Sequence, residues 1–550
     1  MGTDEGRAIA QLVHDIAPGA DLQFHTAFAD IPDLGIANFA QGILDLRAAG
    51  SDIIVDDVRY LAEPIFSDGV IAQAVDQVVE DGALYFSAAG NLGRLGYDSA
   101  FRNSGISIQY LREDEIVNGF AHDFDPDPDS TVTTQRITLA PSLVPENPTA
   151  FTMSFQWDDP FFSNTGGQAA NDTEMDVIFR IANGADFGLP NGAIVGGSAA
   201  NNLATGDPVE IAGIANPFDA ELQIDVQLLF RDDPANNEPG RLVYQLFDNG
   251  TVTIDTFDTA SGTASGHAAA RGAIATGASF FPLNSAGDFE ASFGFPPEAI
   301  GIVVPAINFF SSAGPQEILF DAAGNRLDAP ELRNTPQITS ADGTSTTVPG
   351  FETFFGTSAA VANAAGVAAL MVQFVDGLER TEALTALEET ASDVISREGF
   401  LFSRPDLDAV LPRGADFDSG AGVIQADAAL QFLEEINDLG RKDQKIIGSF
   451  DDDRIEGGDG ADRLFGSYGD DRIEGGDRGD YLFGNEGDDW LFGEDGRDLL
   501  SGGAGNDGLS GGDGWDHLRG GIGDDLLRGG DGWDSPVSYT HLTLPTILRV

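Results

Sequence analysis

A nine-residue repeat that begins at Gly448 constrains the fold of this chain more than any other feature of its sequence. Within each repeat, glycine holds the first place, aspartate the sixth, and isoleucine or leucine the eighth. The apolar place keeps its phase from Ile455 to Leu527, which excludes an acidic low-complexity linker. Loop residues that expose backbone carbonyls alternate with a short strand that carries one inward apolar side chain. The pattern therefore predicts a roll of stacked parallel strands.

The repeat resembles the GGxGxDxUx nonapeptide of RTX (hemolysin-type) calcium-binding proteins. The resemblance implies Ca2+ held by oxygen ligands, an extracellular (secreted) protein, and a type I secretion apparatus as a partner. Residues 448–534 carry 24 acidic side chains against seven arginines and no lysine, so we expect calcium binding and folding to be one event. The expected metal ligands are the aspartates of the sixth place: Asp453, Asp462, Asp471, Asp480, Asp489, Asp498, Asp507, Asp516, Asp525 and Asp534.

Composition narrows the class of protein further. A chain of 550 residues is too long for one domain. Its net charge of −62 disfavours nucleic acid and anionic membranes as partners and favours cations. The absence of cysteine excludes disulfides and thiol catalysis, and the six histidines form no HExxH zinc motif. No apolar run reaches the roughly 18 residues of a membrane span.

A second informative stretch runs from Phe351 to Met371. Gly356, Thr357 and Ser358 form a tight turn, and the uncharged small and apolar residues that follow predict a helix buried on every face. Ser358 would lie beside free backbone N–H groups and the positive end of the helix dipole, which suits a nucleophile whose reaction builds an oxyanion. The alternative is a core helix with a serine N-cap.

The Gly356–Ala360 motif resembles the nucleophile motif of subtilisin-like serine peptidases, which the sedolisins share. Upstream, the segment from Tyr85 to Asn91 resembles the subtilisin oxyanion motif, and the family order is kept. The resemblance implies an endopeptidase that cleaves protein or peptide substrates through an acyl-enzyme, with Ser358 as the nucleophile and Asn91 in the oxyanion hole. Ala362 and Asn363 stand where subtilisins usually carry Pro and His.

Glu5 is the candidate general base. Residues 4–16 read as a helix whose apolar stripe includes Glu5 one turn before Ile9, so Glu5 points inward unless it is an ordinary first-turn acid. The spacing from Glu5 to Pro18 resembles the sedolisin Glu motif, in which Glu replaces the subtilisin His. Sedolisins carry an Asp where this chain has Ile9. The acid that orients the base is therefore either lost with the N-terminus or supplied by Asp4 or Asp57.

A strand–helix–strand unit (51–57, 69–81, 83–87) predicts a parallel sheet with right-handed crossovers. Asp56, Asp57 and Asn91 follow the carboxyl ends of its strands, where ligands bind in such sheets. Asp57 is thus a candidate acid of the substrate cleft, or a solvated residue at a strand end. Further strands are expected at 21–28, 266–279 and 301–305, and a helix is expected at 380–394. Residues 424–433 are expected to close the domain. His267 is weighed as a base, but it matches no catalytic position of the family.

Between residues 97 and 262, alternating apolar and polar residues replace helical periodicity and predict an inserted antiparallel β-sandwich. The expected fold class is α/β: a subtilisin-like parallel sheet with helices on both faces, interrupted by this sandwich and followed by an RTX parallel β-roll. The expected domains are 1–96 and 263–436 (peptidase, N-terminally truncated), 97–262 (sandwich) and 437–536 (roll). The tail, 537–550, resembles translated sequencing-adapter read-through.

Two functions follow from the sequence. The first is a secreted serine endopeptidase with a calcium-binding RTX tail. The alternative is a catalytically inactive, calcium-stabilised surface or matrix module that keeps the peptidase fold.

Overall fold

A computed structural model describes residues 4–27, 35–112, 115–142, 148–164, 172–200, 202, 206–231, 237–249, 251–280, 306–308, 310–375, 377–392, 419–436 and 443–539. The helices are α1 (Glu5–Ile16), α2 (Gly35–Ala48), α3 (Val70–Glu80), α4 (Thr357–Phe374), α5 (Arg380–Glu389) and α6 (Ala426–Ile436). Short 3-10 helices cover Gly184–Phe187 and Gly266–Ala269. The predicted helices at 4–16 and 69–81 correspond to α1 and α3. The helix predicted at 380–394 corresponds to α5 but ends at Glu389, and residues 393–394 lie outside the described residues.

The strands that precede the repeats are numbered in chain order. They are β1 (Ile53–Asp56), β2 (Leu84–Ala88), β3 (Gly96–Ala100), β4 (Asn103–Arg112), β5 (Glu115–His122), β6 (Gln135–Leu139), β7 (Thr149–Trp157), β8 (Met175–Ile181), β9 (Ile194–Ser198), β10 (Val209–Asn216), β11 (Leu222–Arg231), β12 (Arg241–Asp248), β13 (Val252–Ile254), β14 (Ala273–Phe280), β15 (Ala306–Ile307), β16 (Gln316–Phe320), β17 (Arg326–Arg333), β18 (Ile338–Asp342), β19 (Thr344–Ser345) and β20 (Thr353–Phe354).

Outside the sandwich and the roll, the main sheet is parallel and has the order β1-β2-β14-β18. Strand β15 pairs antiparallel with β14. The predicted strand–helix–strand unit is β1, α3 and β2. The strand predicted at 21–28 is wrong over 21–27, where no ladder forms and Phe24 is 77% exposed. Its last residue, and the strand predicted at 301–305, lie outside the described residues.

Alternating side chains of this sheet face two different layers of helices, as expected for strands buried on both sides. Tyr85 packs with α2 and α3 on one face. Leu84 and Phe86 pack with α4, α5 and α6 on the other. Helix α4 is buried from Thr357 to Ala368. It is also the one helix of the described chain with the length and hydropathy of a membrane span, and most of it lies inside the protein.

The predicted sandwich is present as two antiparallel sheets. One has the order β10-β7-β12-β3, and the other has the order β13-β6-β11-β5-β4 with β8 and β9 attached through β11. Side chains from both sheets fill a common core around the fully buried Trp157. The chain leaves the parallel sheet after β2 and returns to it at β14, so the sandwich is an insertion between two neighbouring strands.

The repeats form the predicted parallel roll. Its strands are β21 (Lys445–Ile447), β22 (Arg454–Asp459), β23 (Arg463–Tyr468), β24 (Arg472–Asp477), β25 (Tyr481–Glu486), β26 (Trp490–Gly496), β27 (Leu499–Ala504), β28 (Gly508–Gly514), β29 (His517–Ile522), β30 (Leu526–Gly532) and β31 (Ser535–Tyr539). Odd-numbered strands form one sheet and even-numbered strands the other. Leu464 lies in register with Leu482, so one turn of the roll takes two repeats. The eighth-place residues form a continuous buried core.

The domain boundaries expected from the sequence remain predictions. Strand β31 continues through Tyr539 into the segment that resembles adapter read-through, and residues 540–550 lie outside the described chain.

Candidate active site and calcium-binding repeats

Ser358 is the second residue of α4, and Gly356 is the N-cap of that helix. Ser358 is therefore not the N-cap, and the interpretation of it as a capping serine is wrong. Gly356 has φ = 99°, a left-handed conformation that glycine adopts without steric cost. A Cβ atom there would lie 3.1 Å from Nδ2 of Asn91. Glycine thus both makes the turn and leaves room for the Asn91 amide.

Asn91 follows β2, and its side chain is fixed against the nucleophile turn. Its Oδ1 atom accepts hydrogen bonds from the backbone N–H of Thr357 (2.9 Å) and from the Thr357 hydroxyl (3.1 Å). The Thr357 hydroxyl in turn accepts a bond from the backbone N–H of Gly90 (3.2 Å). These bonds hold the Asn91 side chain beside the first residues of α4.

The carboxyl groups of Glu5 and Asp57 converge on Ser358. Burial raises the pKa of Glu5, while contacts with the Ser358 hydroxyl and with Asp57 act in the opposite direction. Burial, reinforced by the charges of Glu5 and Asp56, raises the pKa of Asp57 to about 7, and the Ser358 hydroxyl again opposes the shift. Two acids that interact this closely do not both ionise readily, so the pair retains a proton near neutral pH.

The structure places Asp4 and Asp57, two of the candidate acids, differently relative to Glu5. Asp4 pairs with Arg7 (3.2 Å) on the exposed side of α1. Ile9 lies in an apolar cluster between α1 and α4, where a carboxylate would be buried without a partner. Asp57, at the carboxyl end of β1, is the acid that the fold brings to Glu5 and Ser358. Residues far apart in sequence thereby complete the cluster.

A buried ionic cluster includes Asp56, the residue that precedes Asp57. His267 Nε2 lies 3.1 Å from Asp56 Oδ1, and its Nδ1 lies 2.8 Å from Glu63 Oε1. Burial lowers the pKa of His267, but the two carboxylates outweigh it and raise the pKa to about 10. Because the imidazole is charged and both of its nitrogens bond to these acids, it is not available as a base. Sequence reasoning missed Glu63, which no motif marks.

Asp342, at the carboxyl end of β18, is a second acid that sequence reasoning missed. Its Oδ2 accepts bonds from the backbone N–H of Gly356 (3.3 Å) and from Asn308 Nδ2 (2.8 Å), so it positions the nucleophile turn. Burial raises its pKa to about 7. The strand-end argument that singled out Asp57 would have found Asp342 only with a strand predicted at 338–342.

Two family profiles match parts of the chain. Residues 230–423 match the sequence profile of the subtilase family. This part of the chain is subtilase-like. The matched segment of the subtilase-like domain includes Ser358, whereas Glu5, Asp57 and Asn91 lie before it. Residues 447–477, 474–509 and 510–535 match the RTX calcium-binding nonapeptide repeat.

Two solved structures show distant similarity to the chain. The CspB protease of Clostridium perfringens is 12% identical, with a TM-score of 0.39 over 73% of this chain and 71% of that one. The catalytic domain of a GH87 alpha-1,3-glucanase in complex with nigerose is 8% identical, with a TM-score of 0.12 over 80% and 63% of the two chains. No curated protein matches the sequence.

The repeat aspartates are suited to calcium. In the inner repeats, Oδ1 accepts the backbone N–H of the aspartate 18 residues earlier, as from Asp471 to Asp489 (2.8 Å). The second carboxylate oxygen, Oδ2, is buried without a hydrogen-bond partner in Asp462, Asp471, Asp480, Asp489, Asp498, Asp507 and Asp516. Such oxygens are the hard, anionic ligands that calcium prefers. Burial raises the pKa of Asp489 to about 9. A cation bound to this carboxylate would lower its pKa again.

The two ends of the array differ from its middle. Asp453 and Asp534 are partly exposed, and Asp453 Oδ2 accepts bonds from the backbone N–H and hydroxyl of Ser449 (2.6 and 2.9 Å). Within the described residues, no group of three Asp, Glu, His or Cys side chains is arranged to hold a metal ion. An ion held by the repeats would therefore take backbone carbonyls as well as aspartate oxygens, which is why the ligand assignment stays a prediction.

Proposed function

We propose that this chain is a secreted serine endopeptidase that hydrolyses peptide bonds through an acyl-enzyme, with an RTX roll that binds calcium. The observation that carries the proposal is the contact of the Ser358 hydroxyl with the carboxyl groups of Glu5 and Asp57 at the N-terminus of a buried helix. The subtilase and RTX matches support the same assignment.

In the proposed mechanism, the Ser358 oxygen attacks the scissile carbonyl carbon and its proton passes to the ionised carboxylate of Glu5. The carbonyl oxygen becomes an oxyanion, which the Asn91 amide and the N-terminal N–H groups of α4 stabilise. Glu5 returns the proton to the leaving amine as the C–N bond breaks. Water, deprotonated by Glu5, then attacks the acyl ester and releases the acid product and Ser358.

Asp57 acts in this scheme by holding its own proton. With a pKa of about 7, it is protonated at mildly acidic pH and donates to Glu5, which keeps the base oriented without adding a second negative charge. Above pH 7 both carboxylates are ionised and oppose the developing oxyanion. Hydrolysis should therefore be greatest at acidic pH, rising as Glu5 ionises and falling as Asp57 loses its proton.

When bound, calcium neutralises the inner repeat aspartates and allows the roll to fold. We also propose that the roll directs export through a type I secretion apparatus, as expected of RTX proteins, and that the working location is extracellular.

Active-site labelling tests the proposal. A fluorophosphonate probe should label the chain in calcium-containing buffer at pH 5–6, and Ser358→Ala should abolish both labelling and peptide hydrolysis. Ser358→Ala should keep the calcium-induced β signal in circular dichroism, which shows that the variant folds. A folded parent chain that takes no label and cleaves no peptide would instead identify the inactive, calcium-stabilised surface or matrix module.

A further inference from the structure

One outer face of the roll is not exposed but packs against the subtilase-like domain. Phe465 and Phe483, on neighbouring strands of the odd-numbered sheet, are 0% and 1% exposed, and their rings stack at 5.0 Å. Phe483 also meets Phe432 of α6 edge-on at 6.0 Å. These rings belong to the same apolar cluster as Leu384 and Leu387 of α5. The roll therefore contributes side chains to the core of another domain.

The polar contacts along α5 follow the strands of the roll one after another. Thr381 bonds to Ser467 of β23 (3.2 Å), and Thr385 accepts a bond from Asn485 of β25 (3.0 Å). Glu389 accepts bonds from Ser501 of β27 (2.7 Å) and Arg519 of β29 (2.8 Å). These α5 residues are four apart, about 6 Å along the helix, and the strands are about 4.8 Å apart. The two spacings are close enough for each helical turn to meet a new strand.

A buried ion pair ties the start of the roll to the same helix. Lys445 Nζ lies 2.6 Å from Glu382 Oε2, and the Glu382 side chain is fully buried. If the roll left α5, this carboxylate would lose its cationic partner, which is strongly unfavourable while the group stays buried. The interface thus combines apolar and ionic contacts, as a stable domain interface does.

The contact extends to the strands and helix that carry the candidate site. Val361 of α4 and Leu84 of β2 belong to the cluster that contains Phe465 and Phe483. At the N-terminus of α5, Arg380 donates to the carbonyls of Gly272 and Ala273, both at 3.0 Å, where β14 begins. Helix α5 therefore links the roll to the central sheet.

We infer that the outer face of α5 is a docking surface for the folded roll, and that calcium binding in the repeats is thereby coupled to the stability of the subtilase-like domain. The roll depends on a cation because its aspartate oxygens are buried without partners. When the roll unfolds, α5 loses the aromatic and ionic contacts described above. The coupling is a property of the fold and does not rest on the proposed peptidase activity.

The sequence supplies a matched pair of variants. Phe483 in Tyr481–Glu486 and Phe492 in Trp490–Asp495 hold the same place in consecutive repeats. Phe483 faces α6, whereas Phe492 lies on the opposite sheet beneath the guanidinium of Arg472, at 4.1 Å. Phe483→Ser should break the docking contact. Phe492→Ser changes the same place of the next repeat and should leave the docking contact intact.

Hydrogen–deuterium exchange of the full chain, in millimolar calcium and in chelator, tests the inference. Calcium should slow exchange in the roll and also in residues 380–389, by about ten-fold or more. Phe483→Ser should keep the calcium-induced protection of the roll but lose that of residues 380–389, and Phe492→Ser should keep both. Equal protection of residues 380–389 with and without calcium in the parent chain would overturn the inference.

A second variant covers the case in which Phe483→Ser fails to fold. Arg519→Ser removes the polar contact to Glu389 at the far end of α5. It should reduce the calcium-dependent protection of residues 380–389 by a measurable fraction while the roll retains its β signal. Unchanged protection in Arg519→Ser, alongside a Phe483→Ser chain that does not fold, would count against the docking surface.

Discussion

Replacing Asp57 with asparagine should stabilise the subtilase-like domain at neutral pH while impairing the proposed chemistry. Burial raises the pKa of Asp57 from its ordinary 3.8 to about 7. Between these values, the folded chain holds a proton that the unfolded chain has released. The associated stability is fully present below pH 3.8 and is lost as the pH rises through 7.

The pKa interval sets the magnitude of this effect. At about 1.4 kcal/mol per pH unit, the interval from 3.8 to about 7 corresponds to about 4 kcal/mol. Asp57 is partly exposed, so solvent screening reduces the expected gain to about 2–4 kcal/mol. Asp57→Asn should match the parent chain near pH 4 and exceed it by this amount at pH 8, because asparagine does not titrate.

Differential scanning calorimetry across pH 4–8, with calcium held saturating, measures the effect. The transition of this domain can be identified by Leu12→Ala, because Leu12 is buried between α1 and α4. Asp56→Asn is the matched control. Asp56 accepts bonds from Ser87 and His267, so its loss should destabilise by about 3–5 kcal/mol. A stability difference between Asp57→Asn and the parent that does not change with pH would refute the reasoning.

Three further outcomes are expected. Glu5→Gln keeps the shape of the side chain but cannot accept a proton, and should lower kcat/KM by about 10²–10⁴; full activity would remove Glu5 from the mechanism. Asn91→Ala should lower kcat by about 10²–10³ with little change in KM, because the amide acts on the oxyanion; a change in KM alone would contradict this role. Asp489→Asn should raise the calcium midpoint of the β signal in circular dichroism more than Asp534→Asn, because the inner carboxylate is buried and the terminal one partly exposed; equal midpoints would contradict the proposed ligand positions.

The sequence determined those features that depend on local period and on short motifs. The nine-residue phase alone predicts the roll, because each repeat stacks on its neighbours and needs no distant partner. The uncharged run after Ser358 likewise predicts α4, because a helix apolar on every face must be buried. Alternation of apolar and polar residues was sufficient to predict the inserted sandwich.

Only the tertiary structure decided which distant groups meet. Sequence left Asp4, Asp57 and a lost N-terminal acid as alternatives beside Glu5, and the end of β1 brings Asp57 there. Phe483 and Phe492 have almost the same neighbours in sequence, yet one is buried against α6 and the other lies on the opposite sheet. The physical reason is that the hydrophobic period specifies which side of a strand faces inward within its own unit. The contacts of the outer side depend instead on elements outside the repeats, such as α6.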